Sequence, residues 1–331
     1  MTSKHVIVGL RIKLFFLLSL PALAVAQDYP SKPVRLHSSG VVGGLTDNTA
    51  RILAERMQAS PEMRGQAVIV ENRPGGAGVV SVMSVVKSAP DGYSILIADI
   101  GQAAIIPVLD PKPQYDTLRD LTPISRIGEM PFFLSVHASV EASSLREFID
   151  TVKASPGKYS YGSNGSGSVH HLAAESMKTA LGLDLLHIPY KGSAQSTPAM
   201  IAGQIQALFT LLAPMTPHMR AGKVRLLAVA SAQRSKQAPD IPTFAELGVK
   251  DMVIVPTVSA LAPAGMPRAL LGRLSTEIIK AARHPDSLAR FEKLAIDVVA
   301  NNPDEYAAQV KADLVTFARA VKVSGAKPAE F

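Results

Sequence analysis

Along this chain, short β-branched apolar runs alternate with stretches whose apolar residues recur at helical spacing. Val34–His37, Ala67–Val70, Ser94–Ala98, Leu185–Ile188, Ile205–Phe209 and Val224–Ala230 have the length and composition of buried strands. Thr46–Gln58, Leu145–Ala154, Val169–Ala180, Ser193–Ala202 and Arg268–Ala282 carry the amphipathic pattern of helices. In the first of these, Ala50, Leu53, Ala54 and Met57 fall at i, i+3, i+4 and i+7, on one face, and Thr46 or Asp47 is placed to cap its start. Pro267 precedes the last of them at a favoured helix-start position. Strand and helix in alternation predict an α/β chain with mainly parallel sheets flanked by helices. Ligands of such sheets collect beyond the carboxyl ends of the strands, where loops lead into helices. The glycine-rich loops at such junctions are Ser38–Gly44, Pro74–Gly78 and Gly162–Ser168.

A length of 331 residues predicts two domains. No long linker is visible, and the best crossings lie near Ile124–Pro131 and Val253–Thr257. A chain that leaves its first domain and later returns uses two such crossings and encloses a cleft between two lobes. Lys4, Arg11 and Lys13 precede the apolar stretch Leu14–Val25, which is too short to span a bilayer, and Ala24-Val25-Ala26 supplies a small-x-small cleavage pattern. The chain is therefore expected to be exported to the periplasm as a soluble protein, with the leader removed near Ala26.

Composition then narrows the chemistry. Hydrophobic residues make up 47% and charged residues 18%, ample for a packed core. There is no cysteine, which excludes disulfides, thiolate metal sites, thiol nucleophiles and lipidation on an N-terminal cysteine. The formal charge of +7 includes the three basic leader residues, and the remaining Lys and Arg are scattered. With only 5% aromatic residues, neither a basic stripe nor a stacking platform for nucleic acid is present. A mild positive balance suits an anionic small ligand.

The glycine loops do not fit the nucleotide motifs. Gly76-Ala77-Gly78 is followed by Ser81 where a dinucleotide fingerprint needs its third glycine, and no loop ends in Gly-Lys-Ser/Thr. No serine sits in a Gly-x-Ser-x-Gly frame, and His170 and His171, being adjacent, cannot ligate one metal as an i, i+4 pair would. They read as polar residues at a helix start, one of them hydrogen-bonding a loop. The expectation is thus no catalysis, no metal and no cofactor. What such loops supply is converging backbone N–H groups, serine hydroxyls and a helix N-terminus, which suits Gly162–Ser168 to a carboxylate or phosphate.

Several ordered segments then carry a resemblance. Tyr29-Pro30-Ser31-Lys32-Pro33, the Gly43-Gly44-x-Thr46-Asp47 loop, Val70-Glu71-Asn72-Arg73-Pro74-Gly75 and Ala89-Pro90-Asp91-Gly92-Tyr93 form one series. Tyr161-Gly162-Ser163-x-Gly165-x-Gly167-Ser168-x-x-His171-Leu172, His187–Ser193, Gly222–Val229, Pro239–Thr243 and Ala262–Pro267 continue it. In these the chain resembles the extracytoplasmic solute receptors of tripartite tricarboxylate transporters, the Bug-type or TctC group. The resemblance implies a two-lobed Venus-flytrap fold, type II-like among periplasmic binding proteins. Lobe one would be residues 27–127, lobe two 128–254, and 255–331 would return to lobe one and form the C-terminal helices. It also implies a monomer that binds a small organic carboxylate and presents it to membrane permease subunits. The alternative is an orphan sensor that delivers the acid to a membrane signalling protein. An enzyme on the same lobes would need a nucleophile–base pair or metal cluster that the motifs do not offer.

Carried over by position, the resemblance places the ligand against Ser39, Gly40, Val41, Val42, Gly43, Gly44 and Asp47 of lobe one. From lobe two it adds Ser163, Asn164, Gly165, Ser166 and Ser168, and from further strand ends Asp99, Gly101, Gln102 and Thr210. The chain departs from the group at three places. Gly40-Val41-Val42 replaces a usual proline pair, Gln206 and Thr210 stand where acids are frequent, and Ile106 stands where asparagine is common. The missing acids point to a plain, partly apolar carboxylate without an amino group.

Overall fold

The computed structural model describes residues 29–327. The expected leader, residues 1–26, lies outside the described residues. The first part of the chain runs β1 (Val34–Ser38), α1 (Leu45–Gln58), β2 (Val68–Asn72), α2 (Val79–Val86), β3 (Ser94–Asp99), α3 (Ile106–Leu109), α4 (Thr117–Asp120) and β4 (Leu121–Glu129). A second set follows: β5 (Phe133–His137), α5 (Leu145–Ala154), β6 (Ser160–Ser163), α6 (Val169–Leu181), β7 (Leu186–Pro189), α7 (Ser193–Ile201), β8 (Ala207–Thr210), α8 (Leu212–Arg220) and β9 (Val224–Val229). The chain ends with β10 (Thr257–Pro263), α9 (Arg268–Arg283), α10 (Pro285–Lys293), β11 (Asp297–Val298) and α11 (Pro303–Ser324).

Two sheets result, one per lobe. The first has the order β11-β4-β10-β3-β1-β2 and the second β7-β6-β8-β5-β9. The chain passes from one to the other between Glu129 and Phe133 and returns between Val229 and Thr257. The crossings lie side by side, with Met130 N–H donating to Pro256 C=O (2.9 Å) and Ala230 N–H to Phe132 C=O (2.7 Å).

The α/β lobes are those expected, but the sheets are mixed rather than mainly parallel. β1 is parallel to β2 and β3, and β6 is parallel to β7 and β8. β10 is antiparallel to β3 and β4, as β5 is to β8 and β9. The reason is the double crossing. Strands joined by right-handed helical crossovers run toward the cleft, whereas β5 and β10, the first strand after each crossing, run away from it.

Helices cover both faces of each sheet. Leu36, Leu53, Ile95, Val258, Ile278 and Phe291 pack one face of the first sheet, and Val82, Leu96, Leu261, Tyr306 and Val310 the other. In the second sheet Phe133, Met200, Leu208 and Met215 fill one side. On its other side Leu134, Phe148, Tyr161, Leu172 and Phe209 join Ile100, Ala104 and Ile105, which arrive from lobe one. α11 spans the two lobes. Its Tyr306 and Val310 belong to the first-sheet core, and its Phe317 and Ala320 to the second.

Candidate functional site

The carboxyl ends of β2, β3 and β6 lead into loops that reach the space between the lobes. A cavity of about 630 Å³ lies there, lined from both sides. Lobe two contributes the turn Asn164–Ser168 and Val169 at the start of α6. Ser168 is the N-cap, its Oγ accepting the His171 N–H (3.3 Å) while donating to Gly165 C=O (2.7 Å). Gly167 has φ +78°, and a Cβ there would fall 2.7 Å from Cδ2 of Leu109 across the cleft. This position needs glycine on both counts.

Histidines behind the turn fix its shape. The Asn164 amide donates to His170 Nε2 (3.0 Å), and its carbonyl accepts from Ser196 Oγ (2.7 Å). Gly167 N–H donates to His171 Nδ1 (3.2 Å), so this histidine bonds a loop as expected. His171 stacks on His187 with ring centres 4.2 Å apart, and Ser163 Oγ meets His187 Nε2 at 2.7 Å. Burial pushes His170 and His187 down to about 4, with the neighbouring His171 adding to the effect on His187. Burial also lowers His171, against the pull of Glu175. All three imidazoles are held neutral, which the acceptor role of His171 requires.

On the lobe-one side Gln102 joins three loops. Its Oε1 accepts from Ser39 Oγ (2.9 Å) and from Asp99 N–H (3.0 Å), and its Nε2 donates to Ala77 C=O (2.7 Å). Its own carbonyl accepts from Tyr115 Oη (2.6 Å). Gly101 to Ile105 form a π-helical turn, a feature that recurs at functional sites. The Asp99 carboxylate folds over the start of this turn and accepts the Gly101 N–H at 2.7 Å. Burial raises the Asp99 pKa, with only hydrogen bonds from Gly101 and Gln102 pulling it back.

Asp99, Gly101, Gln102, Asn164, Gly165, Ser166 and Ser168 all line the cavity, so these expected residues are brought together. Ser163, Thr210, Asp47 and Ser39 to Gly44 are not part of that lining. Ser39 reaches it only through Gln102. The loop after β1 instead closes on its own helix. Thr46 Oγ1 accepts the Gly40 N–H (2.9 Å), and Asp47 accepts the Gly43 N–H (2.8 Å) while facing Arg51 (3.0 Å). Val41 and Val42 project outward, 63% and 73% exposed. Thr210 is buried against Ser135, hydroxyl to hydroxyl at 2.5 Å.

Several lining residues went unidentified. Gly76 and Ala77 belong to the glycine-rich loop Pro74–Gly78 and Val79 opens α2; the position of that loop between a strand and a helix was the available signal. Ile100, Ile105, Ile106 and Leu109 form an aliphatic wall, and Pro256 and Thr257 come from the returning crossing. Neither Gln206 nor Thr210 lines the cavity, so their neutrality says nothing about an amino group on the ligand. Asp99 and Asp110 do line it, and no Lys, Arg or His does among the described residues.

Comparison with known proteins agrees with this architecture. The model of the "Tripartite tricarboxylate transporter family receptor" matches residues 49–324. Protein BugT of Bordetella pertussis is 32% identical over 303 residues, 91% of this chain and 92% of that protein. A solved structure of an R. palustris protein with adipate superposes with TM-score 0.74 at 28% identity, covering 91% of this chain and 100% of that one. The periplasmic binding protein BugD superposes with TM-score 0.70 at 30% identity, covering 90% and 99%.

Proposed function

The chain belongs to the tripartite tricarboxylate transporter receptor family, and from that premise we propose that it captures a small organic carboxylate between its lobes and delivers it to the membrane subunits of such a transporter. The observation that carries this reading is the Asn164–Ser168 turn at the start of α6, facing an inter-lobe cavity with no cationic side chain in its lining among the described residues. The first turn of a helix leaves N–H groups without intrahelical acceptors, and the helix dipole places positive potential there. The Ser166 hydroxyl and the Asn164 turn complete a neutral cradle for an anionic head. The adipate held by a structural relative is an acid of the proposed kind.

In this reading the protein is a periplasmic monomer without turnover, its leader removed near Ala26. Lobe one comprises residues 27–127 and 255–331, lobe two 128–254. The paired crossings at Met130–Pro256 and Phe132–Ala230 serve as the hinge on which the lobes close. Thermal unfolding of the refolded, ligand-stripped protein against a panel of carboxylates tests it. A ligand at ~100 times its Kd stabilises the native state by about 2.7 kcal/mol, so a saturable rise in Tm with one class of acid is expected. The absence of any shift across the panel would remove the carboxylate role.

A further inference from the structure

We propose that Asp99 makes the cleft selective for a bipolar ligand, one with a carboxylate at one end, an ammonium group at the other and an aliphatic stretch between. This rests on the carboxylate reading of the lobe-two turn and adds the other half of the ligand. The two walls differ in kind. The lobe-two wall offers backbone N–H groups, the Asn164 amide and the hydroxyl of Ser166, with no charged side chain among the described residues. The lobe-one wall offers two carboxylates, Asp99 and Asp110, and nothing cationic among the described residues. The lining also has an aliphatic part, Ile105, Ile106 and Leu109 from lobe one and Val169 from lobe two, with no aromatic ring among the described residues.

Asp99 is also built into place. One oxygen is anchored by the Gly101 N–H, and a Cβ on Gly101 would fall 2.8 Å from that oxygen, so the glycine makes room for the carboxylate. Gln102, which ties together the loops after β1, β2 and β3, holds the Asp99 backbone from the other side. When a ligand displaces water from the cavity, a carboxylate without a cationic partner becomes costly. A second ligand carboxylate placed against it adds repulsion in a medium of reduced dielectric. An ammonium group instead supplies the missing counter-charge. Asp99 thereby favours an ω-amino acid over the dicarboxylate of equal length.

The test uses three six-carbon acids that differ only at one end: hexanoate, adipate and 6-aminohexanoate. Binding of each to the stripped full-length mature protein is measured by titration calorimetry, for the wild type and for Asp99→Asn, which keeps an oxygen for the Gly101 N–H. In the wild type, 6-aminohexanoate is expected to bind about tenfold more tightly than adipate, like charges across a contact being penalised and opposite charges rewarded. In Asp99→Asn that preference should vanish and adipate should gain. Equal or tighter binding of adipate by the wild type overturns the proposal while leaving the carboxylate reading intact. A preference unchanged in Asp99→Asn overturns it too, because Asp99 would then already be acting as a neutral, protonated group. If no acid of any kind binds, the carboxylate reading falls and takes the proposal with it. If the variant fails to fold, a wild-type ranking with adipate equal to or above 6-aminohexanoate still overturns the proposal.

Discussion

Gly78 has a φ of +92°, and a Cβ there would meet Nε2, Cδ and Cγ of Gln102 at 2.7 to 2.9 Å. They belong to the side chain that holds three loops of lobe one together. Gly78→Ala should therefore cost about 1–3 kcal/mol in urea unfolding through strain and displacement of Gln102, and should weaken ligand binding as well. Stability reduced with ligand affinity unchanged would show that Gln102 has no part in shaping the cavity. The histidines behind the lobe-two turn add a pH dependence with a definite sign. His170, His171 and His187 all titrate below the ordinary value of 6.5, because burial disfavours their charged forms. As pH falls, the unfolded chain takes up these protons first, so their contribution is complete above 6.5 and is lost as pH falls toward about 4. A protonated His171 can no longer accept the Gly167 N–H. Urea midpoints and ligand affinity should both decline between pH 6.5 and 4.5, and His187→Gln, which keeps an amide near Ser163, should flatten the decline in stability. An equal slope in the variant would assign the acid sensitivity to other groups.

At the scale of elements, legibility followed the shape of each hydrophobic pattern. The starts of α5, α6 and α9 were visible in their amphipathic patterns, with Pro267 marking the last, and the structure shows Ser144 and Ser168 as the N-caps of the first two. β1, β3 and β9 were visible as short β-branched runs. α2 (VVSVMSVV) was not, because a run of valines carries strand propensity and its helical form is set by packing of Val82 and Val85 on the first sheet. β6 (SYGS) carries no hydrophobic alternation at all; it is a strand because β7 and β8 pair with it on either side. α11 was expected only within the C-terminal helices, without bounds. Its 22 residues present apolar groups to two different lobes, so no single stripe runs its full length, although the Asn302–Glu305 capping box and Pro303 signal its start.

At the scale of the whole molecule, α11 constrains how the lobes can move. Arg126, on the strand that leads to the first crossing, pairs with Glu129 at 2.8 Å and with Asp313 of α11. Burial raises Asp313 to about 6 despite that partner. Farther along, Phe317 is buried in the lobe-two core. Phe317→Ala should cost about 3–5 kcal/mol in stability. It should also loosen the grip of the helix on lobe two, so the ligand-free variant should show a larger radius of gyration by X-ray scattering than the wild type. An unchanged radius would mean that α11 does not restrain the hinge.

The sequence by itself determined what local rules can carry. These are the alternation that gives α/β lobes, the glycine-rich turns at strand ends, and a composition without thiols or basic stripes. Ordered motifs along most of the chain added the family. Which turns face one another was decided only by the tertiary structure. Val41-Val42 and Asp99 follow neighbouring parallel strands, yet one points to solvent and the other lines the cavity. Gly167 meets Leu109 of the opposite lobe, and His171 meets His187 across two elements. A cavity belongs to surfaces brought together from distant segments, and its lining depends on how two lobes sit on their crossings, a relation that no local pattern encodes.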